Sequence, residues 1–158
     1  MDTTPPVAPR PMSMTLDEWI WQLEESFPSR TAEAKRILEG ILGRLESENW
    51  YPHDIFGIHL ALEEALVNAV KHGNREDPSK HVHVVCRLSA EKLYIAIEDE
   101  GPGFKVTEVP DCTRDENLEK ASGRGIMLMK NFMTFVEYNA KGNGVTMEKT
   151  RKTDVGAG

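Results

Sequence analysis

Apolar residues return along this chain with two different periods, and the change of period divides it into elements. From Thr31 onward, Ile37, Leu38, Ile41, Leu42 and Leu45 recur every three or four positions, the spacing of one helical face. Thr31 is placed to cap this helix, and Asn49-Trp50-Tyr51-Pro52-His53 to end it. A second helix is predicted over 54–72, with Ile58, Leu62, Ala65, Leu66 and Ala69 as its buried stripe and Gly73-Asn74 as its stop. The pattern then becomes that of strands. Residues 81–88 are short and β-branched, and over 92–99 Leu93, Ile95 and Ile97 alternate with Tyr94, Ala96 and Glu98. Ser89-Ala90-Glu91 joins these two strands as a hairpin turn. A Gly- and Asp-rich connection leads to a short apolar helix at 126–132. A second hairpin pairs 135–138 with 145–150 through Lys141-Gly142-Asn143-Gly144. Residues 16–26 fit either period, because Trp19, Trp21 and Leu23 alternate while Trp19, Ile20 and Leu23 share a helical face. The order is two helices, two strands, a long loop, one helix and two strands. It departs from the alternation of a doubly wound parallel sheet. The fold class expected is an α/β (α+β) two-layer sandwich, a mixed, mostly antiparallel sheet with helices on one face.

Composition narrows what such a domain does. Of 158 residues, 39% are hydrophobic and 12 are glycine, an ordinary globular content. Pro5, Pro6, Pro9 and Pro11 mark 1–14 as a disordered tail, 15–152 as a single domain and 153–158 as a loose C-terminus. The chain carries 19 Lys and Arg against 26 Asp and Glu, a net charge of −7, which argues against a direct nucleic-acid partner. No apolar run is long enough to span a membrane, and the N-terminus lacks the apolar core of a signal peptide. Two cysteines make no disulfide framework, so a cytoplasmic protein with reduced thiols is expected.

Three segments carry candidate chemistry. Asp99-Glu100-Gly101-Pro102-Gly103-Phe104 follows a strand. Its glycines let the backbone approach a ligand, and its carboxylate can accept from the amino group of a base. The bland reading is a surface turn. Ser122-Gly123-Arg124-Gly125 opens an apolar helix, where exposed backbone N–H groups and the helix dipole suit an anion. It is neither a dinucleotide fingerprint nor a Walker loop. Glu64 and Asn68 lie one turn apart on the second helix. Asn is a poor interior helix residue, yet Asn68 stands between Val67 and Ala69. Its amide oxygen suits Mg²⁺, and a carboxylate one turn away suits a general base. The competing reading is a solvated face with Glu63, Glu64 and Lys71 as surface charges.

Taken together, Glu64-Ala-Leu-Val-Asn68-Ala-Val-Lys-His72-Gly73, Asp99-Glu-Gly101-Pro-Gly103-Phe104, Gly123-Arg-Gly125-Ile-Met-Leu-Met129 and Gly144-Val-Thr146-Met-Glu-Lys149 are far more specific. They resemble the N, G1 and G2 boxes and the closing strand of the GHKL (Bergerat-fold) ATPases, over about 16–152. Within that superfamily the chain looks most like the anti-sigma-factor serine kinases. The resemblance implies that 19–24 is the first strand. It implies ATP and Mg²⁺ as cofactors, with Asn68 holding Mg²⁺ and Glu64 as general base toward a substrate hydroxyl. Asp99 would accept from the adenine amino group, with Gly101 and Gly103 shaping that wall. Gly123, Arg124 and Gly125 would line a phosphate lid, and Thr146 would make a water-mediated adenine contact. His72 either sits near the phosphates or merely ends its helix. The implied partners are a small antagonist protein as substrate, a sigma factor, and a second copy of the chain in a homodimer, with Trp19 on the candidate interface strand. The acidic stretch 106–121 departs from the family by lacking a Thr-Thr-Lys-Pro-like segment.

Two other functions are carried beside this one: a detached histidine-kinase catalytic domain, and a non-catalytic, nucleotide-dependent binding module. No His-bearing helical hairpin accompanies the Asn68 helix. His81, His83 and Cys86 lack a fourth ligand at metal-site spacing, and nothing near Cys112 obviously activates it. Trp19, Trp21 and Trp50 read as core or interface aromatics.

Overall fold

The computed structural model describes residues 19–103 and 123–152. The expected 1–14 tail, the loose C-terminus and the lid stretch with Cys112 lie outside the described residues. The elements are β1 (Trp19–Pro28), α1 (Thr31–Ser47), α2 (Pro52–Val67), β2 (His81–Ser89), β3 (Lys92–Glu98), α3 (Gly123–Phe132), β4 (Phe135–Tyr138) and β5 (Gly144–Thr150). A π-helical turn, Asn68–Gly73, extends α2. The ambiguous first segment is a strand of ten residues, longer than the expected 19–24. No helix among the described residues is long and apolar enough to cross a membrane.

The strands form one sheet in the order β1-β2-β3-β5-β4. Every pairing is antiparallel, so this sheet is antiparallel throughout rather than mixed. Both expected hairpins are present, and β3 pairs with β5 to join them. One sheet face presents Val82, Val84, Cys86, Leu88, Leu93, Ile95, Ile97, Val145 and Met147 to the helices. Against them α1 buries Ala34, Ile37, Leu38, Ile41 and Leu45, and α2 buries Ile58, Ala61, Leu62, Ala65 and Leu66. The helical and strand periods read from the sequence thus meet in one core. On the opposite face Trp19, Val85 and Tyr94 form a smaller cluster, with Ala96 against it. Arg87 lies over the Tyr94 ring at 5.8 Å, and Lys92 pairs with Glu148 at 3.1 Å.

Helix ends follow from local chemistry. Thr31 is the first residue of α1 and not its cap; Arg30 holds that position without a side-chain bond to the helix. At the other end Asn49 takes a left-handed conformation (φ 64), which Asn tolerates better than most residues. The N–H groups of Asn49 and Trp50 then return to Glu46 and Leu45, satisfying two terminal carbonyls. Arg151 secures this corner from the end of the sheet. Its guanidinium donates to the Glu48 and Asn49 carbonyls at 2.8 and 3.0 Å and lies over Trp50 at 5.5 Å. The chain therefore leaves α1 at a fixed angle, and Pro52 starts α2 where no helical donor is needed.

Candidate functional site

The second helix ends by widening. At Asn68 the α-helical repeat gives way to a π-helical turn that ends at Gly73, and the Asn74 N–H reaches back to the Ala69 carbonyl at 2.9 Å. Such turns recur at functional sites because they re-aim side chains that a regular helix would align. Here the widened turn brings Asn68, Ala69, His72 and Gly73 to one wall of a recess. Ile97, Asp99 and Gly103 contribute a second wall, and Tyr138, Asn143 and Val145 a third. The recess holds about 520 Å³ of empty space, part of it open to solvent.

Asn74 ties the walls together. It is buried, and its amide donates to Ser29 Oγ at 2.7 Å and to the His81 carbonyl at 2.9 Å. Its Oδ1 accepts the Glu100 N–H at 2.8 Å. One side chain thus joins the ends of β1, α2, β2 and β3. Asp99 is held from the other side, where its backbone N–H donates to the Asn143 carbonyl and Asn143 Nδ2 donates to the Asp99 carbonyl, each at 2.9 Å. In the sequence Asn74 reads only as part of a helix stop, and Asn143 only as a turn residue. Neither has a spacing signal that would reveal a hub.

The glycines are required by contact. A Cβ at residue 73 would overlap the Asp99 carboxylate, and one at residue 101 would overlap the Gly73 carbonyl. Gly103 adopts φ +79 with the Lys141 carbonyl against it. The strand end and the helix end therefore approach more closely than any side chain permits. Within this corner Asp99 Oδ1 accepts the Gly101 N–H at 2.7 Å. Burial nevertheless pushes the Asp99 carboxyl up to about 6, the Gly101 N–H opposing that shift and the neighbouring Glu98 charge adding to it.

Asn68 is the reverse case. Both polar atoms of its side chain are buried and have no hydrogen-bond partner among the described residues. Buried amides are almost always satisfied, so this one stands out among the described residues. A hard cation with phosphate oxygens suits an amide oxygen so placed. Glu64 lies one turn earlier, half-buried and outside the described wall, while its neighbour Ala65 lines the recess. Its charge reaches the Tyr138 hydroxyl on the facing strand. His72 lines the recess and is exposed.

Two expectations change. Gly123, Arg124 and Gly125 form the first turn of α3 instead of a loop before it. Thr146 does not face the recess. Strand alternation points it to the side of Ala96, its β3 partner, while Val145 pairs with Ile97 and Tyr138 on the side of the site. Thr146 is not among the residues that line the recess. The structure brings Asn68, His72, Asp99 and Gly103 together around one recess, with Gly101 beside Asp99. The histidine cluster disperses: Cys86 points into the core, while the His83 ring bonds Ser26 and Glu24 on the other face.

Comparison with known proteins agrees with this fold. The family model of the histidine kinase-like ATPase domain matches residues 26–149. An anti-sigma F factor of Oceanobacillus iheyensis is 36% identical over 98 residues, which are 58% of this chain and 66% of that protein. The chain thus spans just under two-thirds of that relative. An anti-sigma F factor of Clostridium perfringens is 33% identical over 106 residues, covering 63% of this chain and 75% of the relative. In a crystal structure of the RsbU and RsbW domains of a Mycobacterium tuberculosis protein, 33% of that chain superposes on 84% of this one. The TM-score is 0.57 at 15% identity, a likeness of fold. With the family match running from the end of β1 to the end of β5 and enclosing every wall of the recess, the chain belongs to the histidine kinase-like ATPase domain family.

Proposed function

We propose that this chain is a cytoplasmic, Mg-ATP-dependent serine/threonine protein kinase of the anti-sigma type. It phosphorylates a small antagonist protein, and its nucleotide state governs whether it holds that protein or a sigma factor. A homodimer belongs to the same reading, and mass in solution checks it. The observation that carries the proposal is the unpartnered buried amide of Asn68, set across one recess from Asp99.

In this reading the Asp99 carboxylate accepts from the amino group of adenine, and the glycine corner admits the flat base beside it. Asn68 holds the magnesium ion, which neutralises phosphate charge when bound. His72 serves the phosphate end, and by the family resemblance Gly123, Arg124 and Gly125 would line the phosphate lid. Glu64 takes the proton of the attacking hydroxyl, its place on α2 fixed by the packed stripe beneath it. Phosphoryl transfer needs positioning and charge neutralisation more than covalent help, which this set of residues can supply.

The test uses γ-labelled ATP with Mg²⁺, the wild-type chain or Glu64→Ala, and an extract of the source organism. The expected result is an acid-stable label on a small protein, absent with Glu64→Ala although that variant still binds ATP. An acid-labile label would move the chain to histidine transfer. ATP binding without any label would make it a nucleotide-gated binding module.

A further inference from the structure

We infer that Tyr138 is a nucleotide-binding residue, its ring forming the outer end of the floor on which the nucleoside lies. This rests on the nucleotide reading above. The floor follows from register. Ile97 pairs with Val145, and Val145 with Tyr138, so three side chains from β3, β5 and β4 stand in one row across the sheet. All three line the recess. Ala65, Asn68 and Ala69 of the widened helix line it from above.

A flat base entering this slot meets Ile97, Val145 and Tyr138 on one side and Ala65 and Ala69 on the other, with the Asp99 carboxylate at the β3 end of the row. Tyr138 occupies the opposite end, on the edge strand. It is partly buried and packs against the main core, and that burial, with the Glu64 charge adding to it, pushes the phenol pKa up. The phenol therefore stays neutral at physiological pH, and the ring presents a neutral aromatic surface to the ligand. An aromatic ring contributes more to base binding than an aliphatic side chain, because stacking adds to burial. The role is separate from Asp99, which reads the base edge, and from Asn68, which faces the phosphate end.

The experiment measures ADP and ATP binding calorimetrically with Mg²⁺ for wild type, Tyr138→Phe, Tyr138→Ile and Tyr138→Ala. Thermal melts establish that each variant is folded. Tyr138→Phe should bind within about twofold of wild type, because the ring remains. Tyr138→Ala should weaken both nucleotides by about tenfold or more, because the stacking surface for the base is lost. Tyr138→Ile keeps a β-branched residue suited to an edge strand, and should still lose at least about threefold. Should Tyr138→Ala not fold, Tyr138→Ile decides. Wild-type affinity in folded Tyr138→Ile would overturn the role of the ring. A wild-type chain that binds neither nucleotide would overturn the nucleotide reading itself, a distinct outcome.

Discussion

Gly73 and Asp99 touch: the Asp99 carboxylate occupies the space a side chain at residue 73 would fill. The end of α2 and the end of β3 are thus fitted to each other at their closest approach. Because the Gly73 carbonyl also packs where a Gly101 side chain would stand, neither segment can yield alone.

Gly73→Ala tests this fit. The added methyl should displace Asp99 and destabilise the chain by about 1–3 kcal/mol, as overpacking of a tight site does. ADP affinity should fall by about tenfold or more, because the acceptor moves from its place. Calorimetry reads the affinity and a thermal melt the stability. Wild-type ADP affinity in Gly73→Ala would show that the Asp99 position does not govern binding.

Asp99 should also make binding depend on pH. Its carboxyl lies at about 6 in the folded chain, above the ordinary 3.8. Between those values the folded state keeps a proton that the unfolded state has released. The contribution of this group to stability therefore falls as pH rises from 3.8 to about 6 and is constant above. Nucleotide affinity moves the other way, since the ionised carboxylate is the better acceptor, and below about 6 it should drop by up to tenfold per pH unit. Asp99→Asn keeps an oxygen acceptor but does not titrate. Subtracting its ADP-binding profile from that of wild type isolates the Asp99 proton from the phosphate protons of the ligand, and superimposable profiles would refute the assignment.

Asn68 should show opposite effects on stability and binding. With no ligand present its buried amide forgoes hydrogen bonds it could make in water. Asn68→Ala removes that cost, and should raise the melting temperature of the nucleotide-free chain by roughly 2–5 °C, equivalent to about 1 kcal/mol. The same change should lower the affinity for Mg-ADP by at least about tenfold. A variant that melts below wild type while binding Mg-ADP normally would make Asn68 a structural residue.

Much of this was legible from residue order. The two helices and both hairpins rest on periodicity and on turn residues whose placement has a mechanism, while the roles expected of Asn68 and Asp99 rest on the family resemblance. The first strand was not legible from period alone, because Trp19, Trp21 and Leu23 support either element. Thr146 illustrates a different limit. A strand alternates every residue, so an error of one position moves a side chain through the sheet, and Val145 stands where Thr146 was expected. Tyr138 gave no signal of its own, being one aromatic in a strand of four residues. Its importance comes from cross-strand register, which sequence spacing does not contain. Asn74 was hidden for a related reason, since its partners Ser29, His81 and Glu100 are scattered along the chain.

The pairing of β3 with β5 sets the order in which this molecule can fold. Glu98 faces Gly144, so every residue from 99 to 143 lies inside a single loop closed by that pairing. The β2–β3 and β4–β5 hairpins are local and can form early, but joining them requires the long closure, at an entropic cost on the order of 3 kcal/mol beyond a minimal loop. The Asp99 corner, the α3 turn and Tyr138 all lie within that loop, whereas Asn68 lies outside it. The recess therefore comes into existence only at the closure step, and nucleotide should slow unfolding far more than it speeds folding.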